Sequence, residues 1–317
     1  MSSKESSGFA QLAKETTLYP QEKLYPLQKK KRSFFLGLPN EISLQERRIS
    51  LTPDAVKLLV TDGHEIWIET KAGLGSKFTD KDYSEAGAKI AYSAEEVYKA
   101  QAILKIEPPT LNEIEMMKKG QTLISAFQIG SQNPDYIHAL NRRGITALGF
   151  EFIEDKAGGM PIVRAMSEIA GSTVMNIASE YLSSSNGGKG IILGGVTGVP
   201  PTRVVIIGAG TVAEYAARTA LGLGADVQVF KKYDVIHYCV PNIASRVAHT
   251  ATTALSNIFT PTILRASEEG GIEEMIFAHK WFMKGVYTYK GSLTNETIAR
   301  KFGMKHKDLG LLMAARF

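Results

Sequence analysis

The plainest chemistry in this chain lies in the stretch "RVVIIGAGTVAEYAARTALGLGADVQVF", where an apolar run leads straight into Gly208-Ala209-Gly210-Thr211-Val212-Ala213 and then into a helical pattern. The spacing is G-x-G-x-x-A. Gly208 permits a tight turn, Gly210 lets the backbone approach a pyrophosphate, and the small Ala213 allows close helix packing. The helix that starts there offers free N–H groups and the positive end of its dipole to an anion. A second strand follows at βαβ length, so the motif predicts a dinucleotide site with Gly208, Gly210, Thr211, Val212 and Ala213 as contacts. The competing reading is a glycine turn used only for packing.

The acidic residue expected about 20 residues beyond the glycines, where it would meet a ribose, is missing. Phe230 is followed by Lys231 and Lys232, and another strand, "YDVIHYCVPN", begins at once. Two lysines there would suit a 2′-phosphate and hence NADP. A complete dinucleotide domain also needs further βα units, however, at about 30 residues per βαβ unit. Both anomalies together read as a seam, with two pieces of one domain brought next to each other and the middle missing.

The elements around this motif alternate. "SFFLGLP", "HEIWIET", "QAILKI", "TLISAF" and "ITALGF" read as strands, while "AEEVYKA", "LNEIEMMKKG" and "NPDYIHALNRRG" carry helical spacing. "LTPDAVKLLVTDG" is a helix with Thr52 as N-cap, Pro53 at its first position and Gly63 at its stop. That order implies α/β architecture with parallel sheets and covering helices. Pro161 to Leu182 reads as a long helix leaving the first domain, "SSSNGGKGIILGGVTGVPP" as a connector with a short strand or hairpin, and Arg203 as the start of a second domain. After Asn242 come a helix in "IASRVAHTATTALSNIF", helical "EEMIFAHKWFM", a strand "GVYTY" and a helix "TNETIARKFG".

Composition narrows the class. A chain of 317 residues with 44% apolar residues can bury substantial cores. The longest apolar stretch is broken by Pro200, Pro201, Thr202 and Arg203, so no membrane span is expected. The N-terminal sequence has no apolar targeting segment, which makes the cytoplasm the default setting. The lone Cys239 excludes an internal disulfide. The "KKKR" run at 29–32 reads as a solvated linker rather than a nucleic-acid patch, and the six histidines show no metal-ligand spacing.

Taken together, "ERRISLTPDAVKLLVTDGHEIWIETKAGLGSKFTDKDYSEAGA", "ILKIEPP", "AMSEIAGS", "GGKGIILGGVTGVPPTRVVIIGAGTVAEYAA" and "HYCVPNIASRVAHTATTALSN" resemble the alanine dehydrogenase and NAD(P) transhydrogenase alpha-subunit family, with closer likeness to alanine dehydrogenase. The resemblance implies two Rossmann-like domains flanking a cleft, the second truncated at the seam, where relatives carry the rest of the nucleotide-binding domain and a catalytic aspartate. It implies an arm over residues 1–33, a substrate domain made of 34–165 plus about 260–317, and an NAD-binding domain with its linker helix over 166–259. It also implies NAD as cofactor, a small-molecule substrate such as L-alanine or pyruvate, and a homo-oligomer, with helix surfaces such as "IFAHKWFM" as contacts.

By the same resemblance Arg48 grips the substrate carboxylate, a task for which a planar guanidinium with paired donors is suited. Lys105 contacts the substrate and, if desolvated, shuttles a proton. Asn242 lies near the nicotinamide. Gln128 stands where alanine dehydrogenase has its catalytic histidine; glutamine exchanges hydrogen bonds but carries no proton at neutral pH. That departure opens two alternatives to an alanine dehydrogenase: a transhydrogenase component that hands hydride to an NADP-binding partner, or a truncated paralogue without catalysis.

Overall fold

The computed structural model describes residues 31–43, 45–230 and 242–314. Lys231, Lys232, Cys239 and the "YDVIHYCVP" strand lie outside the described residues, as does the chain up to residue 30. In chain order the strands are β1 (Phe35–Leu38), β2 (Glu65–Glu69), β3 (Lys89–Ala91), β4 (Ala102–Leu104), β5 (Thr122–Ser125), β6 (Thr146–Gly149), β7 (Arg203–Ile207), β8 (Asp226–Phe230), β9 (Val286–Tyr289) and β10 (Ser292–Leu293). The helices are α1 (Pro53–Thr61), α2 (Asp80–Glu85), α3 (Ala94–Val97), α4 (Leu111–Met116), α5 (Pro134–Arg143), α6 (Pro161–Leu182), α7 (Thr211–Gly222), α8 (Ala248–Glu268), α9 (Ile272–Ala278), α10 (Lys280–Met283), α11 (Glu296–Phe302) and α12 (Leu309–Ala314).

Local chemistry accounts for many of these boundaries. Thr52 accepts from the Ala55 N–H at 3.3 Å with Pro53 behind it, and the helix stops before Gly63 at φ +94°. Asn133, Pro134 and a left-handed Gly144 bracket α5 in the same way. Thr79 with Asp82 and Thr110 with Glu113 form reciprocal capping boxes at α2 and α4.

Eight strands form one sheet in the order β10-β9-β6-β5-β4-β1-β2-β3. β1 to β6 are parallel, while β9 runs antiparallel to β6, and β10 antiparallel to β9. The sequence pattern alone suggested parallel strands throughout. β10 folds back on β9 through a two-residue turn at Lys290 and Gly291, both at positive φ (+46° and +78°), which is the geometry of a tight hairpin. Alternate residues feed opposite faces. Leu36, Leu38, Leu104, Leu148 and Val286 join one apolar cluster, and Ile103, Leu123, Ala147 and Tyr287 join the other. Both faces are therefore sealed, as a parallel sheet requires.

α8 closes one face with Leu255, Phe259, Ile263 and Ala266. Its hydroxyls also take up backbone donors that the "ERRISLTP" segment has no strand to pair with. Ser245 just before the helix, then Thr252 and Ser256 on it, accept from the N–H groups of Arg47 (2.8 Å), Ile49 (3.0 Å) and Thr52 (3.1 Å). The basic run is not wholly a free linker, because Lys31 pairs with Asp62 and the Arg32 N–H donates to the Ser267 carbonyl at 3.0 Å. The apolar side chains of "IFAHKWFM" also turn inward. Ile276 and Phe282 are core residues, and Phe277, Trp281 and Met283 pack against the same cluster.

β7 and β8 form a separate parallel pair in register from Arg203–Asp226 to Ile207–Phe230. Their small core consists of Met175, Leu193, Ala216, Ala220 and Ala225. α6 joins the two regions and packs on α7. Gly171 makes that approach possible, because a Cβ there would collide with the Val212 carbonyl and lie 2.8 Å from the Tyr215 Cβ.

Candidate functional site

The order of the large sheet reverses between β1 and β4, and in open α/β sheets the crevice beyond the strand ends at such a point is where ligands bind. A cavity of about 490 Å³ lies there. Loops after β1, β4, β5 and β6 bring Arg48, Glu107, Gln128 and Glu151 to it, α6 contributes Met166 and Ser167, and Val212 and Asn242 reach it from the other side. Arg48, Gln128, Val212 and Asn242, singled out from sequence, are thus brought to one cleft.

Arg48 is held rigidly. Its Nε donates to Glu46 Oε1 at 2.7 Å, its Nη2 pairs with Glu46 Oε2 and donates to Asn242 Oδ1 at 2.9 Å, and its Nη1 faces the Met166 sulfur at 3.4 Å. A thioether is a weak acceptor, so the Nη1 donors remain available to an anion in the cleft. Asn242 sits at φ +72° and donates to the Gln45 carbonyl at 3.2 Å, which fixes its amide.

Gln128 also adopts left-handed backbone, φ +50°, an uncommon choice for a residue with a Cβ. Its N–H donates to Glu151 Oε1 at 3.0 Å and its carbonyl accepts from the Ser131 N–H at 2.9 Å, so the corner is secured from both sides. The Glu151 carboxyl also accepts from the Phe127 N–H at 2.6 Å. Burial nevertheless holds Glu151 above the usual carboxylate range despite those donors.

Lys105 does not line the cleft. It is 2% exposed, and its Nζ donates to Glu41 at 2.6 Å and lies 3.6 Å from Glu113. The Glu113 carboxylate also accepts from the Tyr98 hydroxyl at 2.9 Å. Burial pushes Glu41 up to about 7, against the pull of Lys105. Burial works against the Lys105 ammonium too, yet Glu41 and Glu113 hold its pKa above the ordinary lysine value. The charged residue of "LKIEPP" that reaches the cavity is Glu107, which sequence reasoning passed over. Burial raises its pKa first, repulsion from Glu46 adds to this, and Lys105, Arg48 and a Ser43 hydrogen bond oppose both. His249 turns away from the cleft and donates from Nδ1 to the Ser76 carbonyl at 2.8 Å.

The glycine turn has the geometry its motif implies. Gly208 is at φ +120°, and a Cβ on Gly210 would meet nothing within 4 Å, leaving open space over the start of α7. No side chain caps α7. Its first N–H groups therefore suit a phosphate, so the residues present fit the pyrophosphate of a dinucleotide. Lys231 and Lys232 lie outside the described residues.

Residues 37–170 match the family model "Alanine dehydrogenase/PNT, N-terminal domain". The corresponding C-terminal model matches in two pieces, residues 174–233 and 228–296, and the break falls at the seam. The alanine dehydrogenase of Methanococcus maripaludis is 29% identical over 358 aligned positions, covering 84% of this chain and 95% of that protein. That of Mycolicibacterium smegmatis is 28% identical over 371 positions, covering 88% and 100%. Both alignments are longer than the chain's 317 residues, so these relatives carry a stretch to which nothing here corresponds. A solved L-alanine dehydrogenase shares 26% identity at TM-score 0.76 over 84% of this chain and 98% of its own. A transhydrogenase from Sinorhizobium meliloti shares the fold at TM-score 0.68 with 18% identity, over 83% and 99%. With both family models matched in order and relatives aligned nearly end to end, the chain belongs to the alanine dehydrogenase/PNT family.

Proposed function

We propose that this protein is an NAD-dependent oxidoreductase of the alanine dehydrogenase type, converting L-alanine, NAD and water to pyruvate, ammonium and NADH. The observation that carries the reading is the cleft in which Arg48, clamped by Glu46 and Asn242, presents its Nη1 edge beside Val212 at the head of the glycine-turn helix. A carboxylate on that edge sits between the large sheet and α7. NAD, when bound, supplies the hydride acceptor. Gly208, Gly210, Thr211, Val212 and Ala213 offer backbone to its pyrophosphate, and Asn242 stands by the nicotinamide end. Apolar Ile106, Phe150 and Met166 exclude water around a small side chain. The cytoplasm and a homo-oligomeric state belong to the same reading.

A second reading, the soluble NAD-binding component of a transhydrogenase, is favoured by Gln128, since hydride exchange between two nicotinamides needs no acid or base. The test has two stages. Calorimetric titration with NAD should give a saturable isotherm, and absence of binding would leave a non-catalytic paralogue. L-alanine should then produce NADH at alkaline pH, with Arg48→Ala lowering kcat/KM by about tenfold or more. Turnover that appears only when an NADP-binding partner is added would replace the dehydrogenase reading with the second one.

A further inference from the structure

Among the described residues, three side chains lining the cleft carry charge: Arg48, Glu107 and Glu151. Their charges do not balance. Glu46 already neutralises Arg48 through a two-point pair and is itself fully buried. Glu107 and Glu151 therefore leave the cleft short of positive charge. An anion can still bind the Arg48 Nη1 edge, but a ligand that brings its own cation gains more.

The two carboxyls are not equivalent. Glu151 Oε1 takes the backbone donors of Phe127 and Gln128, so this group shapes the Gln128 corner. Glu107 follows β4 on the opposite bank of the crevice from Arg48. Its backbone N–H donates to Glu41 at 3.3 Å, which fixes the main chain, and its carboxyl is half-buried at the cavity wall. Gln128, Asn242 and Gln45 cannot carry a proton, Arg48 does not release one, and the Ser167 hydroxyl ionises far above neutrality.

We propose that Glu107 receives the substrate's ammonium group and takes its proton, so that the cleft selects the amino acid over its 2-oxo acid. This rests on the dehydrogenase reading. In the step, one N–H bond of the ammonium breaks and a proton passes to a Glu107 carboxylate oxygen. The freed nitrogen lone pair forms the C=N bond as the Cα–H bond breaks and its hydride passes to NAD. Glu107 later returns its proton to water. A carboxylate raised by burial is suited to this, because a base works best when its pKa lies near the working pH. The charged groups acting on Glu107 are Glu46, Lys105 and Arg48, with Ser43 donating a hydrogen bond and Glu151 across the cavity.

The test compares Glu107→Gln, which keeps shape and removes charge, with Glu107→Asp, which keeps the carboxylate. L-alanine and pyruvate are titrated calorimetrically into each NAD(H)-loaded protein, and kcat/KM for L-alanine is followed against pH. Glu107→Gln should weaken L-alanine about tenfold while leaving pyruvate unchanged or tighter, and should abolish the acid limb of the profile. Glu107→Asp should retain that limb. Equal losses for both ligands, or an acid limb unaltered in Glu107→Gln, would overturn the assignment, as would a wild-type protein that binds neither ligand. Wild-type protein that binds L-alanine without forming NADH would sink the proposed reaction, while the affinity difference still decides whether Glu107 holds the ammonium.

Discussion

The eight-stranded sheet and the β7–β8 pair are written in the same alphabet, short runs of Val, Ile and Leu followed by helices, yet they end in different states. In the large sheet β4, β6 and β9 are buried along their whole length. In the small one Val205 and Ile207 stay 53% and 51% exposed, and Phe230 55%. An apolar run in a parallel strand is suited to two covered faces. Among the described residues, β7 and β8 receive cover from α6 and α7 on one. The contrast extends to the cleft, whose large-sheet bank supplies anchored side chains, while the β7–β8 bank supplies backbone at a glycine turn.

The sharpest way to break this contrast is to cut into each sheet. Leu38→Ala removes a side chain that is 0% exposed, and should lower unfolding free energy by roughly 2–5 kcal/mol, read from the urea midpoint. A loss under about 1 kcal/mol would mean that the large sheet is less sealed than its burial implies.

A subtler probe uses the buried Glu41–Lys105–Glu113 cluster. Glu41 moves from an ordinary 4.5 to about 7 on folding, so the folded state holds its proton more tightly than the unfolded chain does. Its contribution is fully present below pH 4.5 and is lost as pH rises through about 7, a change of at most about 3 kcal/mol. The stability of wild type relative to Glu41→Gln should therefore fall between those limits. His64, lowered chiefly by burial, titrates in both proteins and cancels in the difference. A flat difference would place the charge on Glu41 throughout. The Arg203–Asp226 pair on the small sheet is solvent-exposed, where an ion pair adds little to stability.

The smallest effect belongs to Ile207→Thr, expected to change stability by no more than about 0.5 kcal/mol in thermal unfolding. A loss matching that of Leu38→Ala would show that something covers β7.

Much of this was legible from residues alone. Thr52, Pro53 and Gly63 marked α1 and helical spacing marked α5, the α6 limits at Pro161 and Leu182 agree with the periodicity, and the glycine turn has its expected backbone. The division of labour in "LKIEPP" was not legible. Lys105 and Glu107 are two residues apart just beyond β4, yet one is drawn under the floor by Glu41 and Glu113 while the other lines the cavity. Those partners come from distant segments, and no local pattern announces them. The hairpin at Lys290-Gly291 did leave a signal, a glycine between two short apolar runs, which helical and parallel-strand templates overlook.

The antiparallel β9 also sets a timetable. The strands on one side of β6, namely β5, β4 and β1, precede it in the chain, but β9, which covers its other side, comes only after α6, the β7–β8 pair and α8. Until β9 emerges, Ala147 and Leu148 present an apolar edge with unmatched N–H and C=O groups, the kind of edge that recruits foreign strands. Because synthesis proceeds from the N-terminus, this core is assembled on one side and left open on the other until the segment after α10 is made. The β9–β10 hairpin is thus a latch, and a stalled or clipped chain that lacks it is released with its stickiest strand uncovered.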